Sequence, residues 1–168
     1  MKKLFALFCM LLAGTLLGAT DSSRAQQGAQ PDASVETSRF DNWTVRCVSA
    51  QERRCQMFQQ ITIQQNEQRV PFLSVTLTEE RIRIQVPPGL ALRQPVELAT
   101  ANDEIAIPYT ICTQQGCFAG DPTDAEMIAA FQRGEVLKVK LGRLEAEPLT
   151  FDVSLIGFSQ AYAKMQAN

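Results

Sequence analysis

The sequence contains no histidine, and it has one tryptophan and two tyrosines among its 168 residues. A chain without histidine cannot assemble the Ser-His-Asp or Cys-His groups of common hydrolases. It also cannot bind a metal ion through imidazole nitrogens. The composition therefore excludes the commonest nucleophilic active sites and every histidine metal site.

The sequence also lacks an apolar run long enough to span a membrane. Its longest run, residues 4–17, covers roughly fourteen residues, whereas a spanning helix needs about 20. Because the run follows Lys2 and Lys3 and leads to small residues, it is typical of a secretory signal peptide. We predict a signal peptide in residues 1–25, cleaved after Ala19 or Ala25, and no transmembrane segment in the mature chain. The protein is then exported, to the periplasm, the outer-membrane surface or the medium.

Neither sign of charge is strongly in excess. Removing residues 1–25 takes away three of 16 basic and one of 18 acidic residues, which leaves 13 and 17 and a net charge of −4. A weakly acidic chain gives no reason to expect nucleic acid or anionic lipid as a partner.

Four cysteines remain after the leader, namely Cys47, Cys55, Cys112 and Cys117, because Cys9 leaves with it. An even number of cysteines in an exported chain predicts disulfide bonds, with three possible connectivities. Each local pair would stabilise the fold by about 2–3 kcal/mol and a long crosslink by about 4 kcal/mol, so energy does not decide the pairing. We favour Cys47–Cys55 and Cys112–Cys117, because each pair is local and flanks a turn.

Two other uses of these cysteines are disfavoured. Structural zinc sites usually separate paired cysteines by about two to four residues, whereas Cys47 and Cys55 have seven residues between them. Cys112 and Cys117 do not have the Cys-x-x-Cys spacing of redox enzymes, and neither has a clear helix amino terminus to lower its pKa. We therefore predict no catalytic residue, no metal and no cofactor.

The hydrophobic pattern divides the mature chain in two. Residues 26–39 are polar and are predicted to form a flexible tether. From Phe40 the chain alternates apolar and polar residues, as where Trp43 and Val45 alternate with Thr44 and Arg46, and period two is typical of half-buried strands. Turn signals recur every eight to twelve residues. We predict that residues 40–168 form a single all-β domain, an antiparallel β-sandwich of about eight or nine strands.

Two short helical segments are predicted within this domain. Residues 125–131 are rich in helix formers, with Asp121 or Thr123 as the cap and Gly134 after the end. A short C-terminal helical turn, capped by Ser159, would place Phe158 and Tyr162 on the same face.

Several polar and aromatic residues allow a functional and a structural interpretation, and we favour the structural one for each. Four arginines would form a basic strip if their strands were neighbours: Arg69, Arg81, Arg83 and Arg93. Trp43 and Tyr109 could stack on a sugar or peptide, but a lone tryptophan is usually a core residue. Lys138 and Lys140 are interpreted as protection of a sheet edge or wet face. Four carboxylates are candidates for a dispersed acid–base pair but fit turns and helix caps: Asp103, Glu104, Asp121 and Asp124.

A set of short motifs resembles the invasion-associated locus B family. The motifs are Phe40-x-x-Trp43-x-x-x-Cys47, Arg54-Cys55, Pro88-Gly89-Leu90-x-Leu92, Pro108-Tyr109-x-x-Cys112, Gly116-Cys117-x-Ala119 and Val153-Ser154-Leu155-x-Gly157-Phe158. They extend over nearly the whole mature chain. The resemblance implies an exported envelope protein of Gram-negative bacteria, a β-sandwich with two cysteine pairs and a link to host-cell invasion and virulence. It brings no catalytic residues with it.

From these observations we expect an exported, non-enzymatic binding module that engages a protein or surface partner and, by resemblance, contributes to host-cell entry. An alternative is a periplasmic housekeeping module that binds envelope proteins or glycans. An envelope enzyme using dispersed carboxylates is a third, weaker hypothesis.

Overall fold

Two antiparallel sheets make up the fold in the computed structural model, which describes residues 34–167. The strands are β1 (Ser34–Phe40), β2 (Trp43–Ser49), β3 (Arg53–Gln65), β4 (Gln68–Leu77), β5 (Arg81–Val86), β6 (Val96–Ala99), β7 (Glu104–Ile107), β8 (Tyr109–Thr113), β9 (Gly116–Pro122), β10 (Val136–Arg143) and β11 (Ala146–Ser154). The helices are α1 (Ala125–Arg133) and α2 (Phe158–Gln166). The predicted signal peptide, both cleavage points and residues 26–33 of the predicted tether lie outside the described residues.

The strands divide into a large and a small sheet. The large sheet has seven strands in the order β1-β2-β3-β4-β5-β9-β8, and the small sheet has four in the order β11-β10-β6-β7. Within residues 34–167, neither helix has the length and apolar character needed to cross a membrane. The predicted fold class, an antiparallel β-rich fold with two short helices, is confirmed.

The strand number is eleven rather than eight or nine, and Pro108 explains part of the difference. A continuous strand through residues 105–111 is suggested by the sequence, but the chain breaks there into β7 and β8, which belong to different sheets. Proline has no backbone N–H to donate to a ladder. Pro108 therefore lies where the chain leaves the small sheet and enters the large one.

Strand β1 corrects the predicted tether, which was expected to extend to Arg39. Residues Ser34–Phe40 pair with β2 along their whole length, and backbone pairing needs no apolar side chains. Glu36 also joins this strand to the rest of the fold, because its carboxylate lies 2.6 Å from Lys164 on α2 and 3.3 Å from Arg53 on β3. Hydrogen bonds from Lys164 and Arg53 lower the pKa of Glu36.

The core is centred on an aromatic cluster under α2. Trp43, Phe131 and Phe158 are fully buried, and the Phe158 ring meets the Trp43 and Phe131 rings edge-to-face at centroid distances of 5.2 Å and 5.6 Å. The indole Nε1 of Trp43 and the amide Nε2 of Gln59 each donate to the Ser154 carbonyl oxygen at 2.9 Å. The last strand is thereby tied to β2 and β3.

Both helix starts differ from the predicted caps. Helix α1 is capped by Asp124, whose carboxylate accepts a hydrogen bond from the Met127 N–H at 2.7 Å, and not by Asp121 or Thr123. Helix α2 begins after Gly157, which makes no side-chain cap, so Ser159 lies inside the helix. Gly157 has a φ of +84°, a left-handed conformation that only glycine adopts without strain.

Replacing Gly157 with alanine is expected to destabilise the fold more than replacing Gly89, which also has a positive φ, of +100°. A left-handed backbone costs a residue with a side chain about 1–2 kcal/mol at either position. At Gly157 the added Cβ would also overlap with the Phe40 carbonyl oxygen, whereas at Gly89 it would meet none of the described atoms within 4 Å. Urea denaturation should show a clearly larger loss for Gly157→Ala. Equal losses would contradict this close backbone approach.

Candidate binding face

The cysteines are paired within the fold. Disulfide bonds join Cys47 to Cys55 and Cys112 to Cys117. In each bond the two residues are directly opposed on neighbouring antiparallel strands, with Cα atoms 4.0 Å apart. Each sulfur atom is therefore bonded to another sulfur atom, and none of the four cysteines is a free thiol. Among residues 34–167, no group of three or more Cys, Asp or Glu side chains is arranged to hold a metal ion.

The four candidate carboxylates fall in two places, with Asp103 and Glu104 at the start of β7 and Asp121 and Asp124 just before α1. Asp124 caps α1, and Asp121 lies on β9 opposite Ile82. Asp103 accepts a hydrogen bond from the Thr100 hydroxyl at 3.1 Å in the turn between β6 and β7. Glu104 forms an ion pair with Lys140 of β10, with 3.4 Å between the charged atoms. Hydrogen bonds and an ion pair thus account for Asp103, Asp124 and Glu104 as structural residues.

A cavity of about 440 Å³ lies between the β6–β7 turn, the end of α1 and the start of β10. Its size suits a small ligand. However, two of its charged residues already have partners, since Arg133 lies 3.9 Å from Asp103 and Lys138 lies 3.0 Å from Asp152. Within residues 34–167, Glu135 is the one charged lining residue without an ion pair. The cavity therefore offers a single unmatched charge to select a ligand.

The two candidate stacking residues do not form a site. Trp43 is completely buried and its indole N–H is bonded, which confirms the favoured core interpretation. Tyr109 is half-buried at the edge strand β8, and its hydroxyl is buried without a hydrogen-bond partner in the described part of the chain. Burial raises the pKa of Tyr109.

Removing the Tyr109 hydroxyl is expected to leave the free energy of unfolding unchanged or to raise it by up to about 1 kcal/mol, because a buried polar group without a partner opposes folding. Urea denaturation of Tyr109→Phe would measure this. Tyr162→Phe is the matched control, since the Tyr162 hydroxyl accepts a hydrogen bond from Gln166 at 3.1 Å. A loss above about 1 kcal/mol in Tyr109→Phe would show that its hydroxyl has a partner in solution.

The outer face of the large sheet carries a row of polar and aromatic residues. Directly opposed residues of antiparallel strands point to the same face, and the register places five residues in one row from β1 to β5: Arg39, Thr44, Phe58, Thr76 and Arg83. The other face of these strands carries the buried core residues. The row therefore faces solvent.

Arg46 and Arg81 extend this row. Arg46 lies two residues beyond Thr44, and Arg81 lies two residues before Arg83, so both share its face. The four arginines that lie in this row or extend it are exposed: Arg39, Arg46, Arg81 and Arg83. We call this group the arginine face. No carboxylate of residues 34–167 forms an ion pair with any of the four, whereas Arg54, on the same side of the sheet, lies 3.5 Å from Glu52.

Other contacts around the arginine face suit a polar ligand. The Arg83 guanidinium carbon lies 5.8 Å from the centroid of the Phe118 ring, a cation–π arrangement that holds the guanidinium over the sheet. A parallel row of Gln60, Ser74 and Gln85 leads to Phe118. Amides, a hydroxyl and aromatic rings thus lie beside the fixed positive charge.

The outer face of the small sheet is different, because its lysines are neutralised. Lys138 lies 3.0 Å from Asp152, and Lys140 lies 3.2 Å from Glu97 and 3.4 Å from Glu104. Hydrogen bonds to both glutamates raise the pKa of Lys140. Strand β10 is internal to its sheet, so these lysines occupy a wet face rather than an edge.

The basic strip, which the sequence allowed as the less favoured interpretation, unites two of its four arginines in the structure. Arg81 and Arg83 lie together on β5, but Arg69 lies near the β3–β4 hairpin and Arg93 lies in the loop before β6. Arg39 and Arg46 are not among the four arginines for which the sequence suggested a strip. Their polar positions in an alternating pattern were the available signal, but only the strand order and register place them on the same sheet face as Arg81 and Arg83.

Comparison with known proteins identifies the family. The family model for the Invasion associated locus B (IalB) protein matches residues 43–166, so this chain belongs to the IalB family. It is 29% identical over 170 aligned residues to the Invasion protein B homologs of Brucella abortus strain 2308 and of B. abortus biovar 1 strain 9-941, covering 93% of this chain and 94% of each relative. The crystal structure of invasion associated protein B from Bartonella henselae has the same fold, with a TM-score of 0.67 at 23% identity, over 77% of this chain and 94% of that one.

The motifs that carry the family resemblance lie mainly in the core and the turns. Phe40 and Trp43 meet the Ser154-Leu155-x-Gly157-Phe158 segment at the aromatic cluster, through the Trp43 hydrogen bond and the close approach of Gly157 to Phe40. None of the four arginines of the arginine face belongs to these motifs. The motifs account for the fold, whereas a role for the arginine face has to be argued from this chain itself.

Proposed function

We propose that this protein is an exported, non-enzymatic binding module whose outer large-sheet face engages a surface partner, and that this binding contributes to host-cell entry. The observation that carries the proposal is the arginine face. Four exposed arginines without carboxylate partners among residues 34–167 share one sheet face of a chain with a net charge of −2.

Membership of the IalB family supports the link to invasion, since the curated relatives are named Invasion protein B homologs. The two disulfide bonds suit an oxidising compartment such as the periplasm or the cell exterior. The contacts of three carboxylates favour binding over acid–base catalysis. Asp124 caps α1, Asp103 accepts a hydrogen bond in a turn, and Glu104 forms an ion pair with Lys140.

Site-specific photo-crosslinking tests whether the proposed face meets a partner. A photoreactive amino acid at Thr37 would lie opposite Arg46 on the edge strand β1. The matched control at Thr150 would lie opposite Lys140 on the edge strand β11 of the small sheet. Both positions are exposed. The tagged, purified protein would be added to host cells and, separately, to bacterial envelopes.

We expect crosslinks to a host surface component from Thr37 and none from Thr150. Equal crosslinking from both positions, or none from Thr37, would overturn the assignment of the binding face. Crosslinks from Thr37 to bacterial envelope components alone would overturn the host-entry role and favour the periplasmic housekeeping module.

A further inference from the structure

We propose that the arginine face binds an extended acidic polysaccharide of the host-cell surface, one that carries sulfate or carboxylate groups. This inference rests on the proposed function and names the chemical class of its partner. The observations are the charge of the face, the spacing of its arginines and the side chains that lie between them.

Charge is segregated between the two sheets. The small sheet balances its lysines with Asp152, Glu97 and Glu104, whereas the arginine face has no such partners among residues 34–167. The nearby carboxylates Glu79 and Glu80 lie in the turn before β5, at one end of the face. Arg69, Arg93 and Arg143 also have no ion-pair partner among residues 34–167, but they lie in the β3–β4 hairpin, in the loop before β6 and at the end of β10. An anionic ligand therefore meets four unpaired arginines on this one sheet face.

The type of cation favours sulfate or carboxylate ligands. A guanidinium group presents a planar fork of donors that pairs with two oxygens of such a group at once. Because arginine stays charged at every physiological pH, the attraction does not depend on the acidity of the compartment. Cation–π contact with Phe118 also holds the Arg83 guanidinium in place.

The spacing favours an extended polymer over a single small anion. Neighbouring strands lie about 4.8 Å apart, so four steps from Arg39 on β1 to Arg83 on β5 span roughly 19 Å. Arg46 and Arg81 flank this row at two-residue spacing along their own strands. A single phosphate or carboxylate group can contact only part of this array of arginines. A polysaccharide with repeated acidic groups can contact all four along its length.

The residues between the arginines suit sugar rings. Thr44 and Thr76 offer hydroxyl groups, and the Phe58 ring lies between them in the same row. Sugars present hydroxyls at their edges and C–H groups on their faces, which hydrogen-bond to threonine and pack on an aromatic ring. Phe58 is half-buried, so part of its ring stays open to such packing.

Binding to heparin, a sulfated polysaccharide, tests the proposal with charge-matched variants. Arg81→Gln/Arg83→Gln removes two positive charges from the arginine face, and Lys138→Gln/Lys140→Gln removes two from the small sheet. We expect the full mature protein to bind heparin in calorimetry and to bind it less tightly as salt rises. The arginine variant should bind at least about tenfold more weakly, because charge-assisted hydrogen bonds are lost. The lysine variant should keep wild-type affinity.

Unchanged melting temperatures and circular dichroism would show that both variants are folded. Equal losses in the two variants would mean that net charge alone attracts heparin, and they would overturn the proposal. So would the absence of heparin binding, equal binding to uncharged dextran, or tighter binding to anionic lipid vesicles than to heparin.

Enzymatic removal of acidic polysaccharides from the host cells separates this inference from the function on which it rests. Crosslinking from Thr37 should then disappear. If it persists, the face binds another host component, so the polysaccharide inference fails while the proposed function stands. If Thr37 never crosslinks to untreated host cells, the proposed function itself fails.

Discussion

Replacing Phe158 with alanine is expected to lower the free energy of unfolding by about 3–5 kcal/mol. The Phe158 side chain is fully buried, and its ring contacts the Trp43, Phe131 and Tyr162 rings at centroid distances of 5.2, 5.6 and 6.0 Å. Removing it leaves a cavity where β2, α1 and α2 meet. Since a typical domain is stable by only about 5–15 kcal/mol, one substitution would remove much of the total.

Urea denaturation monitored by far-ultraviolet circular dichroism measures this loss without relying on the fluorescence of Trp43, which is itself a neighbour of the mutated ring. Ile156→Ala is the matched control two residues away. Its side chain is 60% exposed, so its removal should cost less than about 0.5 kcal/mol. Similar losses in the two variants would contradict the position of Phe158 at the centre of the core.

Breaking both disulfide bonds is expected to destabilise the protein by about 4–5 kcal/mol in total. The bonded residues are eight and five positions apart, and loop-closure entropy assigns about 2.5 kcal/mol to the longer loop and about 2 kcal/mol to the shorter. Both bonds restrict the unfolded chain. Reduction should therefore lower the melting temperature strongly.

Melting curves with and without a phosphine reductant test the combined effect, and paired Cys→Ala variants separate the two bonds. We expect a larger loss for Cys47→Ala/Cys55→Ala than for Cys112→Ala/Cys117→Ala. The first pair closes the longer loop, and Cys55 is half-buried whereas Cys112 is exposed. A melting temperature unaffected by reduction would show that the bonds do not stabilise the fold.

The features that could be predicted from sequence are those set by neighbouring residues. Alternation of Trp43 and Val45 with Thr44 and Arg46 identified a half-buried strand, and the structure buries the apolar set. The helix-forming composition of residues 125–131 likewise indicated α1. These signals are local, because a strand or helix has to match its own periodicity before it packs.

The features that escaped prediction depend on tertiary partners. Strand β1 has few apolar residues, and its order comes from pairing with β2 and from the Glu36 ion pairs with Arg53 and Lys164. The first choice for the cap of α1, Asp121 or Thr123, was wrong, whereas the interpretation of Asp124 as a carboxylate at a helix cap is confirmed. Several capping residues near the helix start compete, and only the three-dimensional geometry selects Asp124.

The arginine face illustrates the same limit for a functional surface. Arg81 and Arg83 are close in sequence, so their proximity could be foreseen. Arg39 and Arg46 join them only because β1, β2 and β5 belong to one sheet and their register puts these side chains on the same face. Strands β3 and β4 lie between β2 and β5. Strand order and register, rather than composition, concentrate positive charge on an acidic chain.

The measurement that tests the central claim most directly is a titration of the isotopically labelled mature protein with a short heparin oligosaccharide, followed by backbone amide chemical shifts. The arginine face predicts that the largest shifts occur at Arg46, Phe58, Arg83 and their opposed neighbours on the large sheet. The amides of Lys138 and Lys140 on the small sheet should remain unperturbed. Shifts centred on the small sheet, or spread evenly over both sheets, would contradict the assignment of the outer large-sheet face as the binding surface.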